Sequence, residues 1–375
     1  MNRYFIFIRI VLASCLLGSW GGGFLPVFAQ ADELMEPSLP REEGLPTTSN
    51  TKQLQALLRQ GLQYVRVRDY ANAIAVYQQA VGIDPSNAKL FGGIGYLLAR
   101  QGRFPEAIQA YQSALSIDPN DPDFYDGLGY SYARAGNNAN AITAYSSAIT
   151  LEPKNVKYYL GLGVVLLREK DYPRVFTIYN QVLALDSKNA EAVALMGSSL
   201  LQQQLWDESI NFLQSAIPHF PKRTELSLQL AIAYLNKGEN QEAEKLLTQI
   251  LRQNPSNLTA KFQLSQIQEK DGRLTEALTG YRQLVRLNPN AISAKVGIGR
   301  ILLAQENYRE AVSVYQELNR LDPTNPDILY YLGLALKKSS QTEKANSILK
   351  NSRELYTKNQ NLQGIEQVDR LLKEE

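Results

Sequence analysis

Cysteine and histidine are almost absent from this chain, which has one of each, Cys15 and His219. A lone cysteine excludes an internal disulfide, and the two residues cannot supply the ligand set of a zinc site. His219 lies in a loop between Pro218 and Pro221, and no positioned nucleophile accompanies it, so the sequence carries no signature of a catalytic base. A Walker-type phosphate loop is missing too. The glycines of FGGIGY (91–96) superficially suggest a nucleotide loop, but they fall inside a helical pattern rather than after a strand. An excess of one charge is also lacking, with 39 basic against 37 acidic residues. Arg3 and Arg9 lie in the first 29 residues, where there is no acid, so the remainder balances at 37 of each sign. Such a chain has no global field to attract nucleic acid. Together these absences argue against an enzyme.

What is present is a period. The pairs Asp84-Pro85, Asp118-Pro119, Glu152-Pro153, Phe220-Pro221, Asn254-Pro255, Asn288-Pro289 and Asp322-Pro323 share one register of 34 residues. Asp186-Ser187 fills the one gap. A residue before proline is pushed out of the α region, so each pair ends a helix. A fixed period of this length implies stacked repeats, none of which buries its apolar face alone.

Within each period a small residue recurs in a first helix, at Gly61, Gly95, Gly129, Gly163, Gly197, Ala231, Ser265, Gly299 and Gly333. Another recurs in a second helix, at Ala73, Ala107, Ala141, Val175, Ser209, Ala243, Ala277, Ala311 and Ala345. An aromatic follows at Tyr77, Tyr111, Tyr145, Tyr179, Tyr281 and Tyr315. Glycine costs about 1 kcal/mol in a helix interior, so its recurrence there implies close packing against a large side chain. This pattern resembles the tetratricopeptide repeat (TPR). The resemblance implies an all-α, right-handed α-solenoid of nine helix-turn-helix units over residues 51–359. Residues 360–375, with Leu362, Ile365, Val368 and Leu372 on one face, are expected to form a capping helix. Pro218 is expected to cut the second helix of the fifth unit short.

Residues 1–29 read as a signal peptide, with Arg3 and Arg9 before an uncharged run and small residues up to Ala29. An uncleaved membrane anchor and a lipoprotein box ending at Cys15 are the alternatives. Residues 30–50, rich in Pro, Glu, Ser and Thr, read as a flexible linker. The expected location is the periplasm, with membrane association through a partner rather than by spanning.

In TPR solenoids the first helices line a concave groove. The resemblance therefore turns Arg66, Arg100, Arg134 and Arg168, one per unit, into a strip beside Tyr96 and Tyr130. Arginine suits bidentate recognition of carboxylates, which points to an extended acidic peptide as ligand. The same positions also suit a helix C-terminus, where a cation is stabilised by about 0.3–1 kcal/mol. A chaperone-type carboxylate clamp is absent, since its positions hold Leu58, Leu62, Gly92, Tyr96, Asp126 and Tyr130.

Asp118, Asp121, Asp123 and Asp126 form an acidic cluster that offers a weak Mn²⁺ or Ca²⁺ site, and no other cofactor is indicated. Asp126 is expected to pair with a groove arginine. Repeat number, leader and length resemble the periplasmic processing-associated TPR proteins of cyanobacteria. That resemblance implies a photosystem II assembly factor that binds the D1 precursor and is linked to manganese supply. An envelope scaffold for polysaccharide or secretion machinery, and a divalent-metal carrier, are the competing readings.

Overall fold

The computed structural model describes residues 49–373. The expected leader lies outside them, as does all but the end of the expected linker. The described residues form nine helix pairs and a last helix, with no strand among them. The pairs are α1 (Ser49–Arg66) with α2 (Tyr70–Ile83), α3 (Ala88–Arg100) with α4 (Phe104–Ile117), and α5 (Pro122–Arg134) with α6 (Asn138–Leu151). Next come α7 (Val156–Arg168) with α8 (Tyr172–Leu185), α9 (Ala190–Gln202) with α10 (Trp206–Ala216), and α11 (Thr224–Lys237) with α12 (Asn240–Gln253). The series ends with α13 (Leu258–Lys270) and α14 (Leu274–Leu287), α15 (Ile292–Ala304) and α16 (Tyr308–Leu321), α17 (Pro326–Lys338) and α18 (Thr342–Lys358), then α19 (Leu362–Lys373). This is an all-α TPR solenoid. None of the described helices is long and apolar enough to cross a membrane.

Local chemistry sets the helix ends. Asp69, Asp121, Asn137, Asn155, Asp171 and Asn189 each accept a backbone N–H of the first turn that follows. Asp84 and Asp118, each before proline, leave the helical region at φ −132° and −126°. Asp186 does so without a proline, at φ −140°. Its carboxylate accepts the Lys188 N–H at 3.2 Å and the Asn189 amide at 3.0 Å, and this turn replaces the proline. Pro218 does shorten α10, which has 11 residues where α8 has 14, and a 3₁₀ turn, Ile217–His219, follows.

The small residues face the large ones. Tyr111 of α4 packs against Gly95 of α3, where an added Cβ would stand 3.0 Å from the ring, and against Gly127 of α5. Tyr145 likewise lies between Gly129 and Gly161. One phenol therefore locks two successive first helices together, and both rings are buried. Gly92 admits Phe124, so the FGGIGY run serves helix crossing.

Tyr179 departs from its register-mates. It is half-exposed and packs against Phe176 and Phe212, with ring centroids 6.3 and 5.8 Å away. The reason lies in the next unit. The position held by Gly127 and Gly161 is Leu195 there, and its methyl fills the space over Gly163. The phenol has no slot to enter.

Backbone contacts divide the described residues into two compact units that part between Gln229 and Leu230. In the first unit α3, α5, α7 and α9 touch one another in sequence, a side-by-side row of first helices. In the second, α13 and α15 do the same, and α19 packs on α18 and α17. Val368 and Leu371 of α19 join Leu334, Leu349 and Tyr356 in a closing apolar cluster.

Candidate protein-binding face

The seven residues expected to bind a partner all belong to the first unit, and all seven sit on its first helices, α1, α3, α5 and α7. Arg66, Arg100, Arg134 and Arg168 end α1, α3, α5 and α7. Arg66, Arg100 and Arg134 are exposed, whereas Arg168 is half-buried. Tyr96 and Tyr130 lie one turn before Arg100 and Arg134 and are half-buried.

The arginines are held by the preceding repeat. Arg100 donates to the Tyr70 hydroxyl at the start of α2, and this bond raises its pKa against the opposing effect of burial. The Arg134 guanidinium carbon lies 5.0 Å from the centre of the Phe104 ring, at the start of α4, and 5.5 Å from that of Tyr130. Its Nη1 donates to the Tyr130 hydroxyl at 2.8 Å, and the Phe104 and Tyr130 rings meet edge-on at 6.2 Å. Such cation–π contacts stabilise by about 0.5–1 kcal/mol each at exposed sites. In the third repeat the corresponding residue is Asn138. With no ring to lie on, Arg168 donates instead to the Ala133 carbonyl at 2.9 Å, capping the last turn of α5. Burial lowers the pKa of Arg168, and the nearby Arg134 adds to that. Helix-end capping and a charged surface are therefore both realised, the first by Arg168 and the second by Arg100 and Arg134.

Sequence reasoning missed Tyr70 and Phe104. Tyr70, Phe104, Tyr172 and Trp206 share a 34-residue register, broken only at Asn138, and that register was the available signal.

Asp126 corrects an expectation. It is buried, and its carboxylate pairs with Lys157 of α7 at 2.9 Å rather than with a groove arginine. Lys157 is the second residue of α7, and its chain reaches back across the row of first helices. The arginines stand two turns further along, at the opposite helix ends. Burial raises the Asp126 pKa despite the opposing Lys157 charge.

The other aspartates of the cluster also have separate engagements. Asp118 accepts the Asn120 N–H at 3.1 Å, Asp121 caps α5 through the Asp123 N–H at 2.9 Å, and Asp123 accepts the Tyr158 hydroxyl at 3.0 Å. Among the described residues no group of three or more acidic, His or Cys side chains is arranged to hold a metal ion.

The second unit treats its cations differently. Arg300 of α15 occupies the repeat position of Tyr96 and Tyr130 and binds Glu269 through two bonds of 2.8 and 2.9 Å. The Tyr281 hydroxyl donates to the same carboxylate at 2.9 Å. Lys295, which is buried, pairs with the exposed Glu317 at 2.6 Å. Both cations are paired within the second unit, and the tyrosine-with-arginine pairs at first-helix ends, Tyr96 with Arg100 and Tyr130 with Arg134, occur only in the first unit.

Comparison with known proteins agrees with the geometry. Models described as tetratricopeptide repeat or TPR repeat match residues 58–122, 129–169, 166–231, 200–255, 228–292 and 299–340. The chain belongs to the tetratricopeptide-repeat family. A search of the curated proteins finds no match. Among solved structures, a tetratricopeptide repeat protein from Parabacteroides merdae is similar at TM-score 0.58 and 17% identity, over 67% of this chain and 99% of that one. A chain of the Cut9–Hcn1 hetero-tetramer of the APC/C is similar at TM-score 0.52 and 16% identity, over 84% of this chain and 63% of that one. At these identities the likeness concerns the fold. A TPR solenoid is a scaffold suited to protein–protein interaction.

Proposed function

We propose that this TPR protein is a non-catalytic scaffold whose first-helix row, from α1 to α7, takes an extended acidic segment of a protein partner. The observation that carries the reading is the pair Arg100 and Arg134. Both are exposed, and both are oriented by aromatic residues of the preceding repeat. A guanidinium already held in place loses less conformational entropy when it meets a carboxylate. Three exposed arginines at roughly 1 kcal/mol each fall short even of millimolar binding, so the ligand must add apolar or backbone contacts. Tyr96 and Tyr130 supply ring faces for these. Asp126, neutralised by Lys157, does not oppose an acidic ligand.

The finer reading is an exported protein of the periplasm that assists photosystem II assembly by binding the D1 precursor. Its support is the leader-like segment 1–29, the nine repeats and the similarity of layout noted above. Manganese carriage is the weaker companion, because the aspartates at the start of α5 are committed to caps and pairs.

Two measurements test this. Arg100→Glu with Arg134→Glu is expected to weaken capture of an acidic peptide at least tenfold in a binding titration. Unchanged capture would sink the groove reading. A pull-down from source-cell extract, read by mass spectrometry, is expected to recover a photosystem precursor. Envelope or secretion components in its place would remove the photosynthetic assignment and leave the scaffold.

A further inference from the structure

The stretch that precedes α1 has the chemistry that the arginine strip recognises. Residues 30–48 carry Asp32, Glu33, Glu36, Glu42 and Glu43 against a single base, Arg41. Their order has a period. Glu33, Glu36 and Glu42 share one three-residue register, and Leu34, Pro37, Pro40 and Pro46 share the next. A polyproline II helix, the conformation that proline favours, has three residues per turn and rises about 9 Å over them. In that conformation the stretch presents carboxylates along one edge and leucine and prolines along the neighbouring one.

The row of first helices has the matching spacing and the matching edges. Helices α3, α5 and α7 touch in sequence, and helices in contact lie about 8–10 Å apart. Arg100 and Arg134 end successive helices of that row and are exposed, so cations recur at about one polyproline turn. One helical turn before the arginines stand Leu62, Tyr96, Tyr130 and Val164, one on each first helix and half-buried. They give the apolar edge of such a segment a floor.

We propose that residues 30–48 occupy this row in their own chain, Glu36 on Arg100 and Glu33 on Arg134, and that a partner's acidic segment must displace them. The inference rests on the groove reading above and names the ligand that competes for the groove. Chain length permits it. Glu36 stands 13 positions before Ser49, a span of about 40 Å as polyproline II. The 18 residues of α1 take about 27 Å of this, which leaves about 13 Å for the step across to α3. The three residues from Glu36 back to Glu33 then cover the step from α3 to α5. Tethering makes weak contacts sufficient, because a segment on a short linker is present at an effective concentration on the order of 1 mM.

A labelled synthetic peptide of residues 30–48, titrated by fluorescence anisotropy into the full chain, tests this. In the parent chain the tethered copy competes with the peptide. Glu33→Gln with Glu36→Gln in the full chain removes the competing carboxylates without adding a charge that the peptide could seek. These substitutions are expected to tighten peptide binding at least fivefold. Arg100→Glu with Arg134→Glu should abolish the binding. Equal affinity for the parent and the Glu33→Gln, Glu36→Gln chain, lost in the arginine variant, overturns the self-occupancy and leaves the groove reading standing, its ligand then being a partner's segment alone. Binding that survives Arg100→Glu with Arg134→Glu, or no binding to any of the three chains, overturns both.

Discussion

At the residue scale the solenoid is held by phenol rings set against glycines. Gly127 and Gly82 separate the packing argument from helix propensity. Gly127→Ala drives a methyl into the buried Tyr111 ring, whereas Gly82 of α2 has nothing within 4 Å of an added Cβ. Alanine restores about 1 kcal/mol of helix propensity at either position. Overpacking of a filled core costs about 1–3 kcal/mol, and the Tyr111 ring is clamped by Gly95 on its other side. Chemical denaturation is therefore expected to show Gly127→Ala destabilised, on the order of 1 kcal/mol net, and Gly82→Ala stabilised by about 0.5–1 kcal/mol. Equal shifts at the two sites would mean that the glycines are not packing residues.

At the element scale, ion pairs tie one repeat to the next. Glu244 of α12 binds Arg273, at the start of α14, through bonds of 2.7 and 2.8 Å. The hydrogen bond from Arg273 holds the Glu244 carboxyl below the usual glutamate range. A carboxylate whose folded pKa is depressed contributes stability above its unfolded pKa and loses it as pH falls through the folded value. Glu244→Gln is therefore expected to lower stability at neutral pH by no more than about 1 kcal/mol, since the pair is a third exposed and screened. The difference from the parent should vanish in acid below the glutamate range. A thermal-melting series against pH reads this directly, and a difference that persists in strong acid would point to packing instead of charge. Asp126 behaves in the opposite sense. Burial raises its pKa, so its ionisation opposes folding as pH rises.

At the scale of the whole molecule, the chain has two compact units, with the division inside α11. Repeat arrays are stabilised by each unit and its neighbours, so cooperativity breaks where the coupling is weakest. The shortened α10 and its 3₁₀ turn lie just before that point. Urea unfolding followed by tyrosine fluorescence and by circular dichroism is expected to show two transitions. Gly127→Ala should move only the one belonging to the first unit. A single coincident transition, shifted as a whole by that substitution, would show that the chain unfolds as one.

The sequence by itself determined the repeat. The 34-residue spacing of the X-Pro pairs and the glycines in phase with them sufficed to give all-α helix pairs, because backbone sterics and helix crossing act through residue type at fixed offsets. The positions of Arg66, Arg100, Arg134 and Arg168 at the ends of first helices were legible for the same reason. Only tertiary structure decided what those side chains touch. Whether an arginine lies on a ring, as Arg134 does on Phe104, or caps a carbonyl, as Arg168 does at Ala133, depends on the residue that the neighbouring repeat presents. Asp126 found Lys157 rather than an arginine, and Tyr179 turned outward because Leu195 had taken its slot. A periodic pattern states what recurs along one chain. Contacts between repeats depend on pairs of positions a full period apart, where a single exchange of glycine for leucine redirects the packing.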